Sequence, residues 1–234
     1  VGTIARTAAV RAADARGDEA AVQVHLSALA ARNATTHALA LADRALLQQK
    51  PAEALSALDA PAAQPLPPRG LALRTQALAA NGRAGEAYGM LGPLKQQQAL
   101  SPSAYTRFES ELAAQAMRES SDANVLAERW ETLPKPLRAD AAIVAAYAER
   151  AAGLRWDDAA AGCLEAAIDA QWDDALAAQY GALPVERLDA AALARRRAHA
   201  ERWRLAHPDN PGALLGLARI ARAQAQWHDD RRIA

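Results

Sequence analysis

The tetrapeptide Trp-Asp-Asp-Ala occurs at residues 156–159 and again at 172–175, and Trp-His-Asp-Asp follows at 227–230. Paired carboxylates beside an aromatic ring can hold a metal ion, share acid/base work, or mark the start of a helix. Adjacent positions on a helix diverge by about 100°, a poor geometry for two aspartates to grip one ion. At a helix start, a carboxylate accepts backbone N–H groups that have no partner in the helix and meets the positive end of the helix dipole. The 16-residue offset between the two copies is about one helix plus one turn. Asp157-Asp158 and Asp173-Asp174 are therefore read as helix openings, with the preceding tryptophans filling gaps between successive helices.

Other residue types capable of chemistry are few. Arg195, His199 and Arg202 fall on one helical face at i, i+4 and i+7, with Arg197 and Arg204 on a neighbouring face. That face is either solvated or a patch for an anionic partner: a carboxylate-bearing ligand, an acidic protein surface or lipid headgroups. The five histidines show neither HExxH spacing nor a Ser/His/Asp arrangement. The glycines at 85–92 lack the spacing of a dinucleotide loop, and no strand precedes them. Cys163, the single cysteine, lies on an apolar stripe and reads as a small buried hydrophobe. The expectation is of a protein that is not an enzyme, with no catalytic residues, no cofactor and no metal.

The elements that must position these groups follow from composition. Of the 234 residues, 51% are apolar but only 4% aromatic, and alanine makes up much of the apolar fraction. Alanine and leucine favour helix, and the residues that favour strands are scarce, so the chain is all-α. Charge is balanced, 27 basic against 27 acidic, which gives no global reason to expect nucleic acid. No apolar run has the roughly 18 residues of a membrane-spanning helix. Small residues after polar turns recur at Ala20, Ala54, Ala87, Ala123 and Ala159, at intervals of 34, 33, 36 and 36. A further mark is blurred within residues 191–194, and another falls at Asp230. Each period reads as two helices, with Ser101-Pro102 and Asn210-Pro211 as cap-plus-proline starts. Ile4, Ala8, Val24, Ala28 and Leu29 make the apolar stripes of the first period. Ile143, Tyr147, Ala151 and Leu154 make one stripe of the fifth.

The period and layout resemble the tetratricopeptide repeat (TPR). The resemblance implies one right-handed superhelical solenoid of six to seven repeats over residues 1–234, with its softest joint at 59–70. In that register Ala8 and Ala20 meet in the first repeat, Leu41, Ala42 and Ala54 in the second, and Leu217 and Ala218 lie in the last. Residues 128–227 further resemble the HemY-type proteins of proteobacteria. The segments that carry this are "ERWETLPKPLRADAAIVAAYAERA", "AAIDAQWDDALAAQYG" and "AERWRLAHPDNPGALLGLARI". That family implies the repeat domain of an inner-membrane protein of porphyrin and haem metabolism, anchored by a segment upstream of residue 1. Partner proteins, foremost late haem-synthesis enzymes, are then the expected ligands; the candidate partner-binding residues, Arg195, His199 and Arg202, come from their shared helical face and not from the resemblance. Alternatives are a porphyrin or haem-precursor binder and a generic peptide-binding TPR module.

Overall fold

A computed structural model describes residues 2–185 and 188–233, with side chains up to residue 225. Among these residues the chain is helical and has no strand. It divides into two compact units, Val1–Glu119 and Ser120–Ala234.

The first unit contains α1 (Thr3–Ala15), α2 (Glu19–Ala30), α3 (Ala34–Leu47), α4 (Pro51–Asp59), α5 (Pro68–Ala80), α6 (Ala84–Gly89), α7 (Leu91–Gln96) and α8 (Pro102–Arg118). The helices α1/α2, α3/α4 and α5/α6 form successive hairpins, and α3 packs against both α1 and α5. Each hairpin turns through one left-handed residue: Gly17 (φ 70°), Gln49 (φ 58°) and Gly82 (φ 70°). The next residue donates its N–H back to a carbonyl five positions earlier: Asp18 to Ala13, Lys50 to Ala45 and Arg83 to Leu78, at 2.8–3.0 Å. This Schellman closure satisfies helix-end carbonyls and reverses the chain in three residues. Glycine enters the left-handed region at no steric cost, whereas Gln49 does so against the preference of its side chain.

The core is alanine and leucine. Ala42, Ala54, Leu58, Ala77, Ala87 and Leu94 are fully buried in one cluster. Val10, Ala13, Val22, Leu26 and Leu29 form another. The first period differs from the TPR register: Ala8 and Ala20 are exposed, as are Ile4 and Val24. Val10 and Val22, two residues further along their helices, are buried in one cluster instead. Residues 59–70 make a short 3₁₀ turn (Pro61–Ala63) that buries Ala63, with Gln64 donating to the Leu58 carbonyl at 2.8 Å.

The second unit contains α9 (Ala123–Thr132), α10 (Lys135–Arg138), α11 (Ala141–Gly153), α12 (Asp157–Ala170), α13 (Asp174–Ala182), α14 (Ala190–Ala206) and α15 (Pro211–Ile233). The α11/α12 hairpin repeats the same closure: Arg155 is left-handed (φ 64°) and Trp156 donates to Ala151 at 2.8 Å. A second shared device is a glutamine reaching a carbonyl about one period back. Gln115 donates to Ala79 in the first unit and Gln179 to Ala145 in the second, at 2.7 and 2.8 Å. The helices α13 and α15 pack where Gly181 and Gly216 meet backbone to backbone; a methyl on Gly181 would overlap Gly216 Cα. In α15, Gly216 and Ile220 are buried while Ala218 is exposed, so the contact falls beside the expected Leu217–Ala218 pair. No helix is long and apolar enough to cross a membrane among the described residues.

Candidate functional site

The aspartate pairs divide into two roles. Asp173 is a true cap, its carboxylate accepting from the Leu176 N–H at 2.9 Å. Asp157 and Asp158 instead sit inside the first turn of α12, whose cap position is Trp156 with no side-chain bond. The left-handed Arg155 starts the helix one residue earlier than a capping aspartate would allow. Their charges still lie at the positive end of the helix dipole. Trp156 is 37% exposed, and its ring lies 6.4 Å from that of Tyr147 on α11. Trp172 stacks on His207 at 3.8 Å and donates to Asp174 at 2.7 Å. Asp174 also accepts from Asn210, and Asn210 caps α15 through the Ala213 N–H at 3.0 Å. Asp230 and the rest of the third copy lie outside the described side chains.

Arg195, His199 and Arg202 share a face of α14, but the structure gives them different surroundings. Two carboxylates one turn apart on α12, Glu165 and Asp169, form the facing rail. Arg202 places one guanidinium nitrogen 2.8 and 2.6 Å from the two Asp169 oxygens. Trp203 donates its indole N–H to the same Asp169 at 2.7 Å. His199 lies 3.6 Å from Glu165, and its Nδ1 is 3.0 Å from Arg202. A guanidinium only donates, so Nδ1 accepts and the imidazole carries its proton on Nε2, toward Glu165. Tyr180, from α13, donates its hydroxyl to Glu165 at 2.6 Å. Arg197 pairs with Glu201 at 2.7 Å along α14. Arg195 is exposed and makes no ion pair among the described residues.

The electrostatics follow from this ladder. Partial burial works against ionising Asp169, but the hydrogen bonds from Trp203 and Arg202 outweigh it and hold the carboxyl below its usual range. Burial, then the bond to Glu165, raises the Tyr180 phenol, so the group stays a neutral donor. Arg196, on the inner side of α14, is buried; it donates to the Pro184 carbonyl at 2.8 Å, and desolvation lowers its pKa. Sequence reasoning found the cationic half of this cluster and missed Glu165, Asp169 and Trp203. The available signal was the i, i+4 spacing of the two acids beside buried Leu164 and Ile168.

Two cavities complete the picture. In the first unit a groove of about 670 Å³ crosses α1, α3 and α5. Its apolar wall includes Ile4, Ala8 and Leu39. Its polar edge is Arg11–Asp43–Arg69, with Asp43 accepting from Arg11 at 2.6 Å and from Arg69 at 2.8 Å. In the second unit a cavity of about 570 Å³ lies among α9, α10, α11 and α12, walled by Trp130, Arg138, Tyr147 and Cys163. Burial pushes the Cys163 thiol up to about 12, which leaves it protonated and a poor nucleophile or metal ligand. Among the described residues no three His, Cys, Asp or Glu side chains converge on a metal-sized position. No protein-family model, curated protein or solved structure matches the chain.

Proposed function

We propose that this chain is a non-catalytic, TPR-like helical scaffold that holds a segment of a partner protein along the groove of its first unit. The observation that carries the reading is the groove itself, formed on the first helices of three successive hairpins. The two arginines on its edge share one carboxylate, which leaves a net positive rail beside an apolar wall. A segment with one apolar side chain and a nearby carboxylate complements that pairing. The repeated left-handed turn in both units supports a helical-repeat solenoid, since one closure device recurs where the sequence period expects a turn. The HemY-type resemblance of residues 128–227 supplies the partner class, late haem-synthesis enzymes at the bacterial inner membrane.

The test is capture of partners from detergent-solubilised proteobacterial membranes, identified by mass spectrometry. Wild type is compared with Ala8→Glu, which puts a charge on the groove wall, and with Arg195→Glu/Arg202→Glu on α14. Groove binding predicts that Ala8→Glu loses the haem-synthesis enzymes while the α14 double reversal retains them. Loss only in the double reversal moves the partner site to Arg195, His199 and Arg202. Equal recovery by all three proteins overturns both sites. A stoichiometric absorbance shift on titration with a porphyrin would replace the scaffold reading with the small-molecule alternative.

A further inference from the structure

Arg138 closes the short helix α10 and lines the second-unit cavity. Its Nε is buried without a hydrogen-bond partner, and its side chain forms no ion pair among the described residues. Buried guanidinium donors are usually paired, because an unsatisfied donor forfeits its hydration; among the described residues Arg6 Nε in the first unit shares this state. Arg150 and Arg196, in the same unit as Arg138, illustrate the usual arrangement by donating to the Ser120 and Pro184 carbonyls. Arg138 also lines the cavity, where its guanidinium, which only donates, is offered to a ligand that brings an acceptor.

The cavity also specifies the rest of that ligand. One wall is the Trp130–Tyr147 pair, with ring centroids 4.4 Å apart and planes inclined by 38°. The floor is α12, where Gly162, Cys163 and Ala166 keep side chains short and the surface nearly flat. A cavity of about 570 Å³ is in the ordinary range of small-molecule sites, roughly 300–1,000 Å³. Burial keeps Tyr147 a neutral phenol, pushed up to about 12, so its hydroxyl adds a donor and no charge to the wall. With Cys163 protonated as well, Arg138 is the one charged group on this lining.

We propose that this cavity binds a small, flat aromatic carboxylate, its rings against Trp130 and Tyr147 over the α12 floor and its carboxylate on the Arg138 guanidinium. Planar guanidinium and carboxylate pair through two parallel hydrogen bonds, which also fixes the direction in which the ring plane enters. This site is independent of the first-unit groove, so either assignment can fail alone.

The probe is 2-naphthoate, titrated into the whole chain by calorimetry and by quenching of tryptophan emission, with 2-naphthamide as the uncharged counterpart. Wild type is expected to bind the carboxylate saturably at a ratio of one, at least tenfold more tightly than the amide. Arg138→Gln removes that preference and lowers carboxylate affinity at least tenfold. Gly162→Leu fills the floor; a methyl there meets nothing within 4 Å, and leucine is a better helix former, so the variant stays folded. It is expected to abolish binding of both compounds, with circular dichroism unchanged. No saturable binding by wild type at millimolar probe overturns the proposal. Equal affinities for carboxylate and amide, or undiminished binding by Gly162→Leu, do so too.

Discussion

The two units use the same turn yet hold their helices together differently. In Val1–Glu119 the contacts are alanine against leucine, and Thr75 is the buried polar residue, returning its hydroxyl to the Leu71 carbonyl. In Ser120–Ala234, large rings are tied to acids: Tyr180 to Glu165 and Trp203 to Asp169. Small side chains bring helices close and leave dispersion and hydrophobic burial to do the holding. Rings need room, and their polar tips need partners, so the second unit carries ring-to-acid hydrogen bonds. The first instead ties its helices with arginine–carboxylate pairs such as Arg11–Asp43–Arg69 and Arg44–Asp14. The difference shows that a constant repeat turn fixes the hairpin while leaving the glue between hairpins open to change.

Substitutions can break that comparison at several levels. The largest effect is expected at the closest backbone approach in the second unit, the Gly181–Gly216 crossing. Gly181→Val places its side chain into backbone that cannot give, and should cost more than about 3 kcal/mol or prevent folding of the unit. Gly216→Ala, whose methyl would sit 3.0 Å from Gly181 Cα, should cost less. Urea denaturation checks both, and equal midpoints for the two variants contradict the asymmetry.

Next comes overpacking in the first unit. Ala54 is fully buried, so Ala54→Leu should cost about 1–3 kcal/mol. Ala159 holds the matching place in the period but lines an open cavity, and Ala159→Leu should be nearly neutral. Similar thermal shifts for the two would mean that the α11/α12 crossing is as tight as α3/α4.

A smaller change probes the ladder. Tyr180→Phe keeps the ring and deprives Glu165 of its donor, for an expected loss of about 1–2 kcal/mol. A loss that persists in the Glu165→Gln background would show that packing, rather than the hydrogen bond, is being measured.

The smallest effect concerns Asp169, whose side chain is 43% exposed. Its folded pKa is depressed, so its contribution is present above the unfolded value near pH 3.9 and is lost as pH falls through the folded value. Asp169→Asn should therefore lower stability by less than about 1 kcal/mol at pH 7, with the gap closing below about pH 4. A gap that is the same at pH 3 and pH 7 would exclude the charge as its source.

The helical class was readable from alanine and leucine content, and the cap-plus-proline starts at Ser101 and Asn210 stand in the structure with their predicted bonds. The hairpin turns were readable as polar breaks, although the first contact pair was placed two residues early. Alanine abundance caused that shift, because Ile4–Ala8 and Val10–Ala13 each fit helical spacing on different faces of α1 and only packing chooses between them. The cationic face of α14 was visible because its residues are neighbours on one helix. Glu165 and Asp169 were not, since they belong to α12 and the register between two helices is not written in either one. Gly181 and Gly216 are hidden for a related reason. A glycine inside a helix looks like a weak helix former until its partner glycine, 35 residues on, is set against it. The missing partner of Arg138 is likewise a property of the fold, as no single segment encodes it.

The distribution of aromatic rings has an optical consequence. All five tryptophans lie beyond residue 120. Emission excited at about 295 nm therefore reports the second unit alone, while far-ultraviolet circular dichroism reports helices in both. One denaturation series read in both channels needs no added dye to show whether the units unfold as one. Coincident midpoints would mean a single cooperative transition, and separated midpoints would give each unit its own stability.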